Sequence, residues 1–333
     1  MVSDAPGSRH DPFEALRQRG FQWLSLSRFS SGVAQGVQAA ALAWQVYAIS
    51  GSAFQLGILG LVRFVPQLLS ALFAGAVADT YNRQKIVLVA QTLSAVATLA
   101  LLAATVTGIL TLPLLYGLVV LLGLAGAFDG PARQSLLPSV VSERTFPHAI
   151  RANSTIQSFA QVAGPGLAGV LMARGGVEAA YGANVVLILT SMVAIAVLRP
   201  RPVAQPRRAV SWESIREGIE YVRSRPPLLG SMTLDMFAVI FGGAQALLPV
   251  YAKDILQVGP AGYGLLQSSI AVGGVLTSVL LVLAPTVVRI GRALLWSVAA
   301  FGLATIAFGL SRWFPLSVAM YMAVGMADQV SMV

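Results

Sequence analysis

Charge is scarce in this sequence, so the points where it enters apolar runs mark where chemistry is available. Arg28 and Arg63 each stand in a stretch otherwise almost free of charge, Asp235 does the same further along, and Asp129 and Asp328 each close a G-x-x-D pattern with Gly126 and Gly325. An ionised side chain at membrane depth is costly and ordinarily faces water or a partner, so such groups suit solute binding, proton transfer or the exchange of ion pairs. Neutral polar residues gather near them. At 100° per residue Arg28, Ser31, Gln35, Gln38 and Gln45 share about 100° of one helical face. Arg63 and Gln67 lie one turn apart, and Asn153, Gln157 and Gln161 recur every fourth residue. Each glutamine has two readings, cavity lining or hydrogen-bonded glue between helices. A further cluster, Asp79, Arg83 and Lys85 in GAVADTYNRQK from Gly75 to Lys85, separates two oily runs.

Covalent and metal chemistry find no support. With no cysteine the chain has no disulfide, thiolate site or cysteine nucleophile. His10 and His148 fall in membrane-flanking segments, and neither a phosphate loop ending in Lys-Ser/Thr nor a paired metal-ligand motif occurs. The expectation is no catalytic residue, no metal and no cofactor.

The elements that must position these residues are set by composition. Of 333 residues 56% are hydrophobic and 11% charged, and the mean hydropathy is +0.75, the profile of a membrane protein. About 20 uncharged residues at 1.5 Å per residue cross a ~30 Å hydrocarbon core. Ten such spans can be drawn, at 21–49, 54–78, 86–107, 113–131, 155–173, 178–198, 228–250, 262–285, 293–311 and 314–333. They must be helices, because the period-2 alternation of a membrane barrel is missing and every backbone polar group in lipid needs a partner within its own segment.

The net charge of +9 records topology. Seventeen of the 22 cations fall in the N-terminal tail and in the connections on its side of the membrane. By the positive-inside rule that side is cytoplasmic, which puts the N-terminus inside and makes nucleic acid an unneeded partner. Residues 1–20 read as a cytoplasmic tail, 21–198 as a six-helix bundle, 199–227 as a cytoplasmic linker and 228–333 as a four-helix bundle. Within the linker, Trp212, Ile215, Ile219 and Val222 recur at helical spacing after Ser211, so an amphipathic helix on the inner membrane face is expected, as a spacer or a regulatory element.

GAVADTYNRQK resembles the cytoplasmic signature of the major facilitator superfamily, G-x-x-x-D-R-x-G-R-R/K, with Gly75, Asp79, Arg83 and Lys85 matching and Thr80 and Asn82 replacing the usual Arg and Gly. GPGLAG, with Gly164, Pro165 and Gly169, is similar to the core of the superfamily's drug–proton antiporter motif, although Arg151 and Ala160 stand where its upstream glycines belong. Longer segments look like the branch of drug and enterobactin-type siderophore exporters. The resemblance implies an all-α membrane protein with the major facilitator fold, two related bundles around a central cavity, and a cytoplasmic gate at Gly75, Asp79, Arg83 and Lys85. It implies alternating access, export of a small, moderately apolar molecule such as a drug or siderophore, and exchange for protons; an importer would use the same architecture. The expected setting is a bacterial cytoplasmic membrane, with a monomer, the lipid bilayer and a small-molecule substrate as the partners.

An internal repeat agrees with that architecture. Shifting the first span by 207 residues lays Gly36, Gln38 and Ala39 on Gly243, Gln245 and Ala246, and Arg28 on Asp235. The cavity and coupling candidates are therefore Arg28, Gln35, Gln38, Arg63, Gln67, Asp235 and Gln245, with Asp129 and Asp328 as repeat-related acids suited to gating. Arg28 and Asp235 are expected either to pair across the repeat axis or to pair locally. Twelve helices are usual in the superfamily and ten spans are present, so the spans group as 6 + 4. The expectation is a chain truncated after its tenth helix, which leaves a non-transporting membrane protein as the competing reading.

Overall fold

The computed structural model describes residues 18–142, 145–199, 220, 223–225, 230, 233, 244–283 and 290–332. Among them there are helices and no strands. In chain order these are α1 (Arg19–Ser50), α2 (Ala53–Thr80), α3 (Arg83–Val106), α4 (Leu112–Gln134), the single turn α5 (Leu137–Val140), α6 (Phe146–Val197), the short α7 (Leu248–Val250), α8 (Gly259–Leu283), α9 (Ile290–Leu310) and α10 (Phe314–Met332). Among the described residues α2, α3, α4, α6 and α8 each hold a stretch long and apolar enough to cross a membrane. At 32 residues α1 is longer than any of these except α6. Its arginine and glutamines make it more polar, as suits a helix that faces a cavity on one side.

The expected fifth and sixth spans are the two arms of α6, which breaks at Gly175 and Gly176. Gly176 takes φ +70° and ψ −176°, a conformation open only to glycine, so the chain reverses there without a loop. The expected fourth span is longer than drawn: α4 runs on to Gln134, and Arg133 is a buried helix residue instead of a loop cation. Most of the expected seventh span, including residues 234–243, and most of the linker helix lie outside the described residues.

The main apolar core joins Val37, Leu42 and Tyr47 of α1 with Leu101, Leu115, Met172 and Tyr181, and continues through Leu248, Tyr263, Phe308 and Tyr321. Polar anchors tie the helices within it. Gln45 donates to Thr105 Oγ1 at 2.9 Å and accepts from the Tyr181 hydroxyl at 2.6 Å, so this glutamine is glue between α1, α3 and α6. Large apolar side chains such as Phe54, Leu69, Val89, Leu303 and Leu310 cover the exterior, where lipid replaces water as solvent.

α1 packs against the length of α6, α2 against α4, α3 against α4 and α6, and α8 against both α6 and α10. The GPGLAG segment sits where three helices converge. A Cβ on Gly164 would lie 2.8 Å from the Gly36 Cα on α1, and one on Gly169 would lie 2.8 Å from the Gly264 Cα on α8. One helix thus presses backbone to backbone on two neighbours, as small residues allow in lipid. The departure at Ala160 has a local answer, since its methyl occupies the space that Gly32 of α1 leaves, at 2.8 Å from a Cβ placed there.

Candidate functional site

The first arm of α6 runs away from the end of the bundle that carries Arg83, Lys85 and Arg151, and α8 runs back toward it, Gly264 lying against Gly169 and Ser268 against Val162. Midway they touch, where Ser268 donates to the Val162 carbonyl at 2.9 Å. Toward the basic end they separate. There Ser154, Gln157 and Ser158 of α6 face Gly274 and Ser278 of α8 across a cavity of about 650 Å³.

Two further compartments open beside α1. One, of about 470 Å³, lies between α1, α4 and the start of α6 and is lined by Arg28, Arg133, Asn153 and Gln157. The other, of about 230 Å³, reaches into the first helices and is lined by Gln38, Arg63, Gln67, Asp129 and Asn184. Gln35 borders all three. Room for the inner compartment comes from α4, where Gly126 and Gly130 would carry a Cβ into open space. At Gly123 the same helix approaches α2 so closely that a Cβ would lie 2.9 Å from the Arg63 carbonyl.

The opposite end is shut by contacts between α1 and the segment that precedes α8. Tyr251–Ile255 forms a π-helical turn that projects Lys253 and Asp254. The Tyr47 hydroxyl of α1 donates to the Asp254 carboxylate, and the Lys253 ammonium sits 5.4 Å from the centre of the same ring, within cation–π range. Beside them Trp44 and Tyr263 pack with ring centroids 5.5 Å apart. The pathway is therefore closed at this end and widens toward the basic one.

Most polar residues chosen from the sequence border this space. Arg28, Gln35, Gln38, Arg63, Gln67 and Asp129 line it from α1, α2 and α4, and Gln245 and Asp328 border the larger compartment. Gln38 also donates to Thr98 Oγ1 at 2.9 Å, which joins its two roles. Gln45 faces away, into the helix packing. Asp235 lies outside the described residues, so its relation to Arg28 does too. Arg28 itself donates to the Arg133 carbonyl at 2.9 Å, and its Nε is buried with no hydrogen-bond partner among the described residues.

One network leaves a single trace in the sequence. Arg133 grips Asp129 through Nε and Nη2 at 3.0 and 2.9 Å, and its Nη1 reaches Ser27 Oγ at 2.5 Å. Ser27 meets Ser191 at 2.7 Å, and Gln91 donates to Ser191 at 2.6 Å, which knits α1, α3, α4 and α6 together. The spacing Asp-x-x-x-Arg is its one trace, masked because Arg133 is among the seventeen cations that the charge pattern assigns to the tail and connections.

Around the 75–85 segment, Gly75 is described only as part of α2, and the Asp79 side chain lies outside what is described. Asn82, in the place of the usual glycine, caps α3 by accepting from the backbone N–H groups of Gln84 and Lys85 at 3.0 and 3.2 Å. Arg83 donates to the Ser135 carbonyl at 3.0 Å, and Gln84 donates to the Ile195 and Leu198 carbonyls at 2.7 and 2.8 Å. This turn fastens the start of α3 to the ends of α4 and α6.

Helices that touch midway and part around a polar cavity toward the basic end give the architecture of a membrane protein with the major facilitator fold. The profile of the family described as transmembrane secretion effector matches residues 10–328, and the chain belongs to that family, whose members are transporters and not enzymes. It is 26% identical over 273 residues to the multidrug efflux pump Tap of Mycolicibacterium fortuitum, covering 76% of this chain and 64% of that protein. It is 24% identical to the staphyloferrin A transporter of Staphylococcus aureus, over 72% of this chain and 61% of that one. With the enterobactin exporter EntS of Escherichia coli it shares 27% identity, over 93% and 74%. The chain thus spans less than two thirds of the first two relatives. Among solved structures, a bacterial homologue of the human lysosomal transporter Spinster, inward-facing and unoccupied, superposes with TM-score 0.67 at 16% identity, covering 98% of this chain and 74% of that one. The nucleoside transporter NupG does so with TM-score 0.69 at 12% identity, over 93% and 80%. At these identities the likeness is one of fold.

Proposed function

We infer that the chain is a secondary active exporter that moves a small, moderately apolar molecule out of a bacterial cell by alternating access, in exchange for protons. One observation carries the reading: α6 and α8 are clamped at the end held by Tyr47 and Asp254 and parted at the basic end around a polar cavity. The excess of cations at the open end supports a cytoplasmic opening and a cytoplasmic N-terminus. In this reading residues 21–198 and 228–333 are two bundles joined by the 199–227 linker, and they rock about the α6–α8 contact. Gly75, Asp79, Arg83 and Lys85 act as the gate at the open end. GPGLAG keeps the far end shut through the contact of Gly169 with Gly264, which crosses between the bundles. Export is favoured over import by that segment and by the names of the relatives, two of which are an efflux pump and a siderophore exporter.

The proton carrier must be a carboxylate that can lose its partner. Asp129 is held on both oxygens by Arg133, which suits it to gating, so Asp235 is the better candidate for coupling. The test is transport by the purified chain in liposomes with an imposed pH gradient, using ethidium and a catecholate siderophore as cargo. Gradient-dependent movement that a protonophore abolishes is the expected result. Movement that ignores the gradient would remove proton coupling, and no movement of any solute would remove the exporter reading.

A further inference from the structure

Arg63 enters the inner compartment without a counter-ion. Among the described residues it has no hydrogen-bond or ion-pair partner, although it shares that compartment with Asp129. The acid is committed elsewhere, since both of its oxygens go to Arg133. In the adjoining compartment, which Asp129 also borders, Arg28 has one nitrogen on the Arg133 carbonyl and its Nε buried and unpartnered. The wall formed by α1, α2 and α4 thus sets three guanidiniums against one carboxylate. From the opposite wall the described acid is Asp328 on α10, which borders the larger compartment and has a partner of its own. Asp235 belongs to the residues outside the description.

A guanidinium at membrane depth is costly to hold in place without an anion. Its flat fork of donors matches a carboxylate, which can accept two parallel hydrogen bonds. The surroundings complete the recognition. Gln35, Gln38 and Gln67 offer amides to the polar end of a ligand, while Leu42, Val119 and Leu122 supply an apolar wall in the same compartment.

We propose that Arg63 forms an anion subsite, and that the transported molecule is an organic anion whose carboxylate seats on Arg63 while its apolar body lies against Leu42, Val119 and Leu122. This rests on the exporter reading for the word transported, and on the cavity alone for the subsite. It separates two cargo classes that the fold accepts equally, lipophilic cations and amphiphilic anions.

Three probes with one ring system isolate charge: 2-naphthoate, 2-naphthamide and 2-naphthylmethylammonium, titrated calorimetrically into the purified full chain in detergent. Naphthoate is expected to bind about tenfold or more tightly than either of the others, the scale of a charge-assisted hydrogen-bonded pair. Arg63→Gln should abolish that preference and leave the amide's affinity unchanged, which also reports that the variant is folded. Arg63→Lys keeps the charge without the fork and should retain part of the preference. Equal binding of all three probes by the native chain overturns the proposal without recourse to any variant, as does undiminished naphthoate binding in Arg63→Gln. Arg63-dependent binding without gradient-driven movement would leave the subsite standing and sink the exporter reading. Movement of the ammonium but not the carboxylate would do the reverse.

Discussion

Asp129 and Arg133, one turn apart on α4, hold each other through two contacts of 2.9 and 3.0 Å, and both side chains are almost fully buried. The pair works as one unit, since Arg133 also carries Ser27 and, through its backbone carbonyl, Arg28. Removing one member of a buried pair leaves an uncompensated charge and costs about 3–5 kcal/mol, whereas removing both for apolar residues of similar size is often neutral. Asp129→Asn should therefore lower thermal stability in detergent more than the double variant Asp129→Leu with Arg133→Met. A double variant as unstable as the single one would show that the pair's worth lies in the link from the Arg133 side chain to Ser27.

The inner compartment exists because α4 lacks side chains where it faces Arg63 and Gln67. A Cβ on Gly126 meets no atom within 4 Å, so Gly126→Ala should fold and gain up to about 1 kcal/mol of helix propensity. Gly126→Leu should fold equally well and fill the space, which lowers naphthoate binding without lowering the melting temperature. Unchanged binding in a folded Gly126→Leu protein would mean that ligand occupies the larger compartment alone.

How much of this was legible in the sequence depends on the reach of each interaction. The helices, the polar face of α1 and the Arg63–Gln67 turn follow from hydropathy and from 100° per residue, which need only local spacing. Gln45 shows the limit: it shares the face of Arg28 and Gln38, yet about two turns beyond Gln38 α1 has entered the packed end, where Thr105 and Tyr181 take it. Arg133 misled for another reason, because a cation just past an apolar run reads as topology until the helix is seen to continue through it. Tyr47, Lys253 and Asp254 carried no signal, since their meeting requires α1 and a π-helical turn some 200 residues later to share one end of the bundle.

The contact between Tyr47 and Asp254 should act as a latch on the closed end. Tyr47→Phe removes one hydrogen bond to a charged acceptor, worth about 1.5–3 kcal/mol, and leaves the ring under Lys253. If the end opens by separating α1 from this turn, the opened population should rise on the order of tenfold. The native chain has no cysteine, so a single Ala252→Cys, at a fully buried position beside the latch, reports opening through its rate of maleimide labelling. The rate should rise in the Tyr47→Phe background and in Asp254→Asn. An equal rate in all three would assign closure to the apolar packing around Trp44 and Tyr263.

That packing has its own test at Gly169. A Cβ there would fall 2.8 Å from the Gly264 Cα and 2.9 Å from the Pro260 carbonyl, and neither atom is the end of a flexible side chain that can swing aside. The helices must then part, at a cost of about 1–3 kcal/mol, as overpacking requires. The cost applies only while α6 and α8 are clamped, so Gly169→Ala should favour the arrangement in which this end is open instead of unfolding the protein. Labelling at Ala252→Cys should accelerate while the melting temperature moves little. Gly182→Ala, on the other arm of α6 and with nothing within 4 Å of its would-be Cβ, should change neither. Should Gly169→Ala lower the melting temperature as much as it speeds labelling, the α6–α8 junction would be a fixed part of the core, and the pivot of alternating access would have to lie elsewhere.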